Sequence, residues 1–281
     1  MAILFGRCAI INIVGNELES DFFYKKPSNT CSKHNLIFAG SAVRKKQAAA
    51  EAFESVNAYY ASINGIHYEE LSSPELFSCL AFRIADFMIN FSGGKKYALS
   101  KENGLPESFY RKCLEAARAS GKMTDVPNDA ILTISMKQMM HILRSAGIAN
   151  IENGKAFMEP CFMNGQTLYF LILDAFWNTV KWRDIFPSDA EAADFLMRDR
   201  SIMTDIMLRR GNKTEINDLT NEFFDMTGFA SVNDIRAVSF IDFYMFFWLK
   251  NFSIINYYDT GDKIFVELTG IGKKLLSYMN K

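Results

Sequence analysis

Leu143-Arg-Ser-Ala-Gly-Ile148-Ala-Asn150-Ile151 and Leu249-Lys-Asn-Phe-Ser-Ile254-Ile-Asn256-Tyr257 lie 106 positions apart and agree at Leu, Ile and Asn, with Arg144 matching Lys250. A turn follows each, Glu152-Asn-Gly154 in one and Asp259-Thr-Gly-Asp262 in the other. The next residues are Lys155-Ala-Phe157-Met-Glu159 and Lys263-Ile-Phe265-Val-Glu267, which agree at Lys, Phe and Glu if the second turn is longer by two residues. Both stretches read as the end of a helix, a strand, a glycine-containing turn and a returning strand. A further helix is expected after each, over 167–180 and 270–279. The pattern predicts an internal duplication.

The rest of the composition suits such a protein. The chain has 281 residues, 49% of them apolar and 22% charged, with 31 Lys+Arg against 32 Asp+Glu. That balance is globular, and disordered, collagen-like and low-complexity classes need a different one. A formal net charge of −1 argues against a protein that coats nucleic acid over its whole surface. Basic residues do concentrate locally. Residues 22–50 contain no Asp or Glu but hold Lys25, Lys26, Lys33, Arg44, Lys45 and Lys46, and residues 87–101 hold Lys95, Lys96 and Lys101 beside Gly93-Gly94. Such stretches fit solvated loops or a contact with an anionic surface. The five cysteines (Cys8, Cys31, Cys79, Cys113, Cys161) are odd in number and never form Cys-x-x-Cys, so reduced thiols and a cytoplasmic location are expected. Arg7 interrupts the apolar N-terminus, which argues against a signal peptide. The most apolar stretches, 168–177 and 240–249, fall short of the roughly 20 residues that a membrane span needs, and no membrane association is expected.

Helical signals dominate the middle of the chain. Ser73-Pro74-Glu75 reads as a cap and first turn opening an apolar run to Phe91, stopped by Ser92-Gly93-Gly94. A helix is predicted over 42–63. Another runs over 106–120, with Phe109, Cys113, Leu114 and Ala117 on one side. Ser188-Asp-Ala-Glu191 matches a capping box. The fold class is mainly α (α+β), with small hairpins late in the chain.

The helix–hairpin–helix ending resembles the winged helix, the hairpin-bearing variant of the helix-turn-helix. Leu268-Thr-Gly-Ile-Gly272-Lys-Lys-Leu275-Leu276 is similar to the segment joining wing to helix in bacterial winged-helix regulators. In the second copy the resemblance implies helices over 201–210, 213–226 and 232–250, with a wing tip over 259–262. In the first copy it implies helices over 106–120 and 135–146 with a short turn near 129–131; Glu159-Pro160 replaces the Leu-Thr of the closing motif. The expected organisation is a helical N-terminal region over 1–101 and two winged-helix-like domains with small β-hairpin wings, over 102–185 and 186–281.

A recognition helix presents polar and basic side chains to the major groove. Lys137, His141 and Arg144 recur at i, i+4, i+7, with Gln138 beside them, while Met136, Met139, Met140, Ile142 and Leu143 supply a packing side. These four outward residues and Lys155 on the wing are the candidate nucleic-acid contacts, and DNA is one candidate partner. The second copy differs. Phe240-Ile-Asp-Phe-Tyr-Met-Phe-Phe-Trp-Leu249 is apolar almost all round and belongs in a core or against another chain, with Phe246 and Trp248 as candidate docking residues. A protein partner or homodimer through this helix is the alternative to DNA. Trp177 to Phe186, an aromatic-rich stretch, is expected to pack between domains or to form a partner groove.

No enzyme, cofactor or metal site is expected. Cys31-Ser-Lys-His34 has a ligand-like spacing but no second pair near it. Gly93-Gly-Lys-Lys96 lacks the earlier glycine and the following Ser or Thr of a P-loop. The reading is a nucleic-acid-associated regulator acting through the first winged helix, with a non-enzymatic interaction scaffold as the alternative.

Overall fold

The computed structural model describes residues 74–100, 104–126, 128–158, 165–228 and 241–279. The basic segment 22–50, the helix expected over 42–63, Lys101, Cys8, Cys31, Cys161, His34, His67 and the first part of the helix expected over 232–250 lie outside the described residues. Among the described residues the protein is mainly helical, with two small antiparallel sheets. It divides into two compact units, the first closing at Val180 and the second opening at Lys181, five residues before the expected boundary at 185.

In the first unit α1 (Pro74–Ser78) and α2 (Leu80–Ser92) replace the single helix expected from Ser73. Cys79 makes the break: its backbone is extended, and its sulfur accepts a hydrogen bond from the Phe82 N–H. The elements that follow are β1 (Tyr97–Ala98), α3 (Glu107–Ala119), α4 (Asp129–Ser145), β2 (Ala149–Glu152), β3 (Lys155–Met158) and α5 (Gly165–Asp174), which runs on as a π turn over Ala175–Thr179. β1 pairs with β3, and β3 with β2. The expected division at 101 therefore cuts through this unit. Two bonds bind its early part to the sheet: the buried Ser92 hydroxyl donates to the Met158 carbonyl at 3.1 Å, and the Gly94 N–H donates to the same oxygen at 3.0 Å. Gly93-Gly94 thus ends α2 and joins it to β3. The core centres on Phe109, whose ring meets Phe91, Tyr97 and Tyr110 edge-on. Cys79 and Cys113 are buried free thiols, each pushed from the ordinary value of 9.0 up to about 12 by burial.

The second unit repeats the order. α6 (Trp182–Ile185) and a 3₁₀ turn (Pro187–Asp189) lead into α7 (Ala190–Arg210), then β4 (Thr214–Glu215), α8 (Ile216–Thr227), a π turn (Asp242–Phe246) leading into α9 (Phe247–Asn251), β5 (Ile255–Asp259), β6 (Ile264–Leu268) and α10 (Gly270–Met279). β4 pairs with β6, and β6 with β5. Asp189, one residue after the expected Ser188, caps α7, its carboxylate accepting from the Ala192 N–H. Ser188 instead hydrogen-bonds the Tyr244 hydroxyl at 2.9 Å. The helix expected from Ser201 starts at Ala190, and the one expected from Lys213 starts at Ile216 because Thr214 and Glu215 join the sheet. Ile241, Met245, Phe246, Trp248 and Leu249 are fully buried. Of the two alternatives read for this stretch, Phe246 and Trp248 take the core one, while Phe243 of the same stretch is 68% exposed. The aromatic stretch divides with the units: Trp177 is a buried residue of the first, while in the second Trp182 meets Phe186 and Phe186 packs on Tyr244 at 4.2 Å.

The repeated Leu-x₄-Ile has a single cause. At the end of α4 the Ile148 N–H donates to the Leu143 carbonyl and the Gly147 N–H to the Arg144 carbonyl. At the end of α9 the Ile254 N–H donates to Leu249 and the Ser253 N–H to Lys250. Both are Schellman caps, in which a left-handed residue turns the chain out of the helix and an apolar pair closes over it. Gly147 (φ 74°) and Ser253 (φ 56°) are those left-handed residues, and the Leu and Ile of each copy are buried.

Beyond the cap the expected alignment slips. Glu152 pairs with Lys155 around the two-residue turn Asn153-Gly154, whereas Asp259 pairs with Ile264 around a four-residue turn. Asn150 faces Phe157, but its counterpart Asn256 faces Glu267. Tyr97 pairs with Ala156 and Thr214 with Val266, so the first sheet strand gives the same equivalence. The second hairpin is longer by four residues, not two, and the shared Lys, Phe and Glu of the returning strand are not equivalent in the ladder.

Thr269 and Gly272 carry the closing motif of the second copy. The Thr269 hydroxyl donates to the Ser253 carbonyl at 2.9 Å and accepts from the Gly272 N–H at 2.8 Å. A Cβ on Gly272 would sit 1.9 Å from the Ile254 carbonyl oxygen. Gly272→Ala is expected to lower stability by about 3 kcal/mol or more, and Ser253→Gly to raise it by about 0.5–1 kcal/mol by relieving left-handed strain. Urea denaturation of the full chain should move in opposite directions for the two variants.

Candidate nucleic-acid interface of the first unit

α4 is built to hold one face inward. Asn128 caps it, its side-chain oxygen accepting from the Ala130 and Ile131 N–H groups at 2.9 and 3.2 Å. Arg118 from α3 fastens the first turn, bonding the Asp129 carboxylate and the Met123 and Val126 carbonyls. The helix is continuous from Asp129, with no turn near 129–131 and no restart at 135. Met136, Met139, Met140, Ile142 and Leu143 are buried, each burial contributing roughly 1.5–3 kcal/mol.

The opposite face carries the candidate residues. Lys137, Gln138 and His141 are half-buried and Arg144 is exposed. Lys137 is engaged across the helix pair: its Nζ lies 2.5 Å from the Glu107 carboxylate of α3 and 5.7 Å from the centre of the Tyr110 ring. Tyr110 is itself buried, and its phenol is pushed well above the ordinary range by burial and by Glu107 and Cys113, with Arg144 acting in the opposite direction. Glu107, Lys137 and Arg144 therefore act around one buried ring. Toward the N-terminal half of α4 the outer face becomes apolar, with Ile131 42% and Ile134 54% exposed.

Lys155 is exposed and follows the turn residues Asn153 (φ 50°) and Gly154 (φ 71°), both left-handed as a tight hairpin requires. On the neighbouring strand side, Lys96 lies 3.4 Å from the Glu152 carboxylate and 4.8 Å from the centre of the Phe157 ring. No family model matches the chain, and neither a curated protein nor a solved structure does.

In the second unit, Phe243 stands six residues before the cap leucine, where the first unit has Lys137. Lys250 lies 4.9 Å from the centre of the Tyr257 ring, and the Tyr257 hydroxyl donates to the Asp242 carboxylate. Burial raises the Asp242 carboxyl above the usual carboxylate range, against the lowering effects of Tyr257 and Lys250. Among the described residues no three His, Cys, Asp or Glu side chains gather as a metal site, and no helix is long and apolar enough to cross a membrane.

Sequence reasoning missed Glu107 and Tyr110, which reach the Lys137 face from 30 and 27 positions away. No local spacing links them to it; only the pairing of α3 with α4 does. The cap of α4 is open to a direct test. Asn128→Ala should cost about 1 kcal/mol, seen as a lower urea midpoint for the full chain.

Proposed function

We propose that the protein is a tandem winged-helix protein whose first unit contacts nucleic acid through α4 and the β2–β3 hairpin. The order helix, strand, helix, helix, hairpin in each unit, with the short strand paired to the returning one, supports the winged-helix part of this reading. The observation that carries the nucleic-acid part is the pair of exposed cations, Arg144 at the end of α4 and Lys155 beside the hairpin turn. A duplex seated on a helix and an adjoining hairpin would meet both, and such cations position a protein on phosphates without reading sequence.

A second reading is favoured by different residues. Ile131 and Ile134 on α4 and Phe243 before α9 leave apolar side chains on the outer helix faces of both units. That composition suits a protein-binding scaffold, and a winged helix serves either purpose.

Fluorescence anisotropy of the full chain with a labelled random-sequence duplex, over a salt series, separates the two. Salt-sensitive binding supports the nucleic-acid reading, and the Arg144→Ala, Lys155→Ala double variant should then weaken binding and reduce the slope of log K against log salt by about two. No binding at low salt overturns that reading and leaves the scaffold.

A further inference from the structure

The Glu107–Lys137 pair differs from an ordinary surface ion pair in what it occupies. It bridges two helices from residues 30 positions apart, at 2.5 Å, and Lys137 is one of the basic residues on the outward face of α4. The Glu107 side chain is 76% exposed, so the fold does not depend on enclosing it. It stands in the first turn of α3, where the helix dipole favours an anion. The carboxylate occupies one of the three N–H donors of the Lys137 ammonium.

We infer that Glu107 is a built-in competitor for the nucleic-acid phosphate, and that it holds down the affinity of the first unit by keeping Lys137 neutralised. The inference rests on the nucleic-acid reading above and adds a regulatory contact to it. A phosphate that approaches Lys137 meets the carboxylate already on the ammonium and must displace it or share the ammonium with it against like-charge repulsion, so this cation contributes less than a free one. Removing the charge of Glu107 frees that cation. An exposed pair of this kind is worth up to about 1 kcal/mol, which sets the size of the effect at about two- to five-fold.

The test compares wild type, Glu107→Gln and Glu115→Gln in the anisotropy experiment with the full chain. Glu115 is on the same helix, is similarly exposed, and lies 4.0 Å from Arg111; its variant removes an equal charge from α3 without touching Lys137. Glu107→Gln should bind about two- to five-fold more tightly at low salt, with a salt slope steeper by about one. Glu115→Gln should leave the slope unchanged. Equal effects of the two variants, or none for Glu107→Gln while wild type binds, overturn the competitor and leave the nucleic-acid reading intact. Failure of all three proteins to bind overturns both. Thermal melts of each variant, expected to stay within a few degrees of wild type, exclude a folding defect.

Discussion

A helix that stops in the wrong place would undo either unit, because its hairpin starts only three residues after the helix cap. The Schellman cap fixes that point twice over. The 6→1 bond from Ile148 to Leu143, and from Ile254 to Leu249, sets where the chain leaves the helix, and the buried Leu–Ile pair holds it there. Asn150 and Asn256 then enter their strands at equal distances from the caps. The two units share few residues, and those they share nearest the helix end are the ones this local geometry requires.

That explains how much could be read from one chain. The caps are local: six consecutive positions hold the leucine, the left-handed residue and the isoleucine, so the duplication stands out even without a relative for comparison. Gly272 stands out through the closing motif around it, but its reason is not local: Ile254, whose carbonyl it approaches, lies 18 positions earlier on the other side of the hairpin. What could not be read is long-range. The strand Tyr97–Ala98 is two residues long and has no alternation to display; it becomes a strand only because Ala156 and Lys155 lie beside it. The same holds for Thr214–Glu215. Missing these two strands moved the expected domain boundary past a helix that the first unit needs, and it placed the start of α8 at Lys213 instead of Ile216.

The candidate site divides along the same line. The i, i+4, i+7 spacing correctly separated Lys137, His141 and Arg144 from the buried methionine side of α4. Spacing on one helix says nothing about the neighbouring helix, and it is the neighbour that supplies Glu107 and Tyr110. In the second unit the apolar stretch was legible as core, and five of its residues are fully buried. Which of its aromatics would remain outside depended on the turn of the backbone at Asp242–Phe246, a π turn that no residue pattern announces.

The slip in the second hairpin has a consequence for how such units diverge. The returning strand is displaced by two ladder steps relative to the identity-based alignment, and two is one full period of a strand. Val266 and Leu268 consequently keep the inward stations held by Ala156 and Met158, while Glu267 takes the station of Phe157. A displacement of one residue would have exchanged the two sides of the strand and put Val266 and Leu268 into water. Turn length in this hairpin is thus free to change so long as the register of the ladder is kept, because the pairing and not the loop decides which side each residue faces.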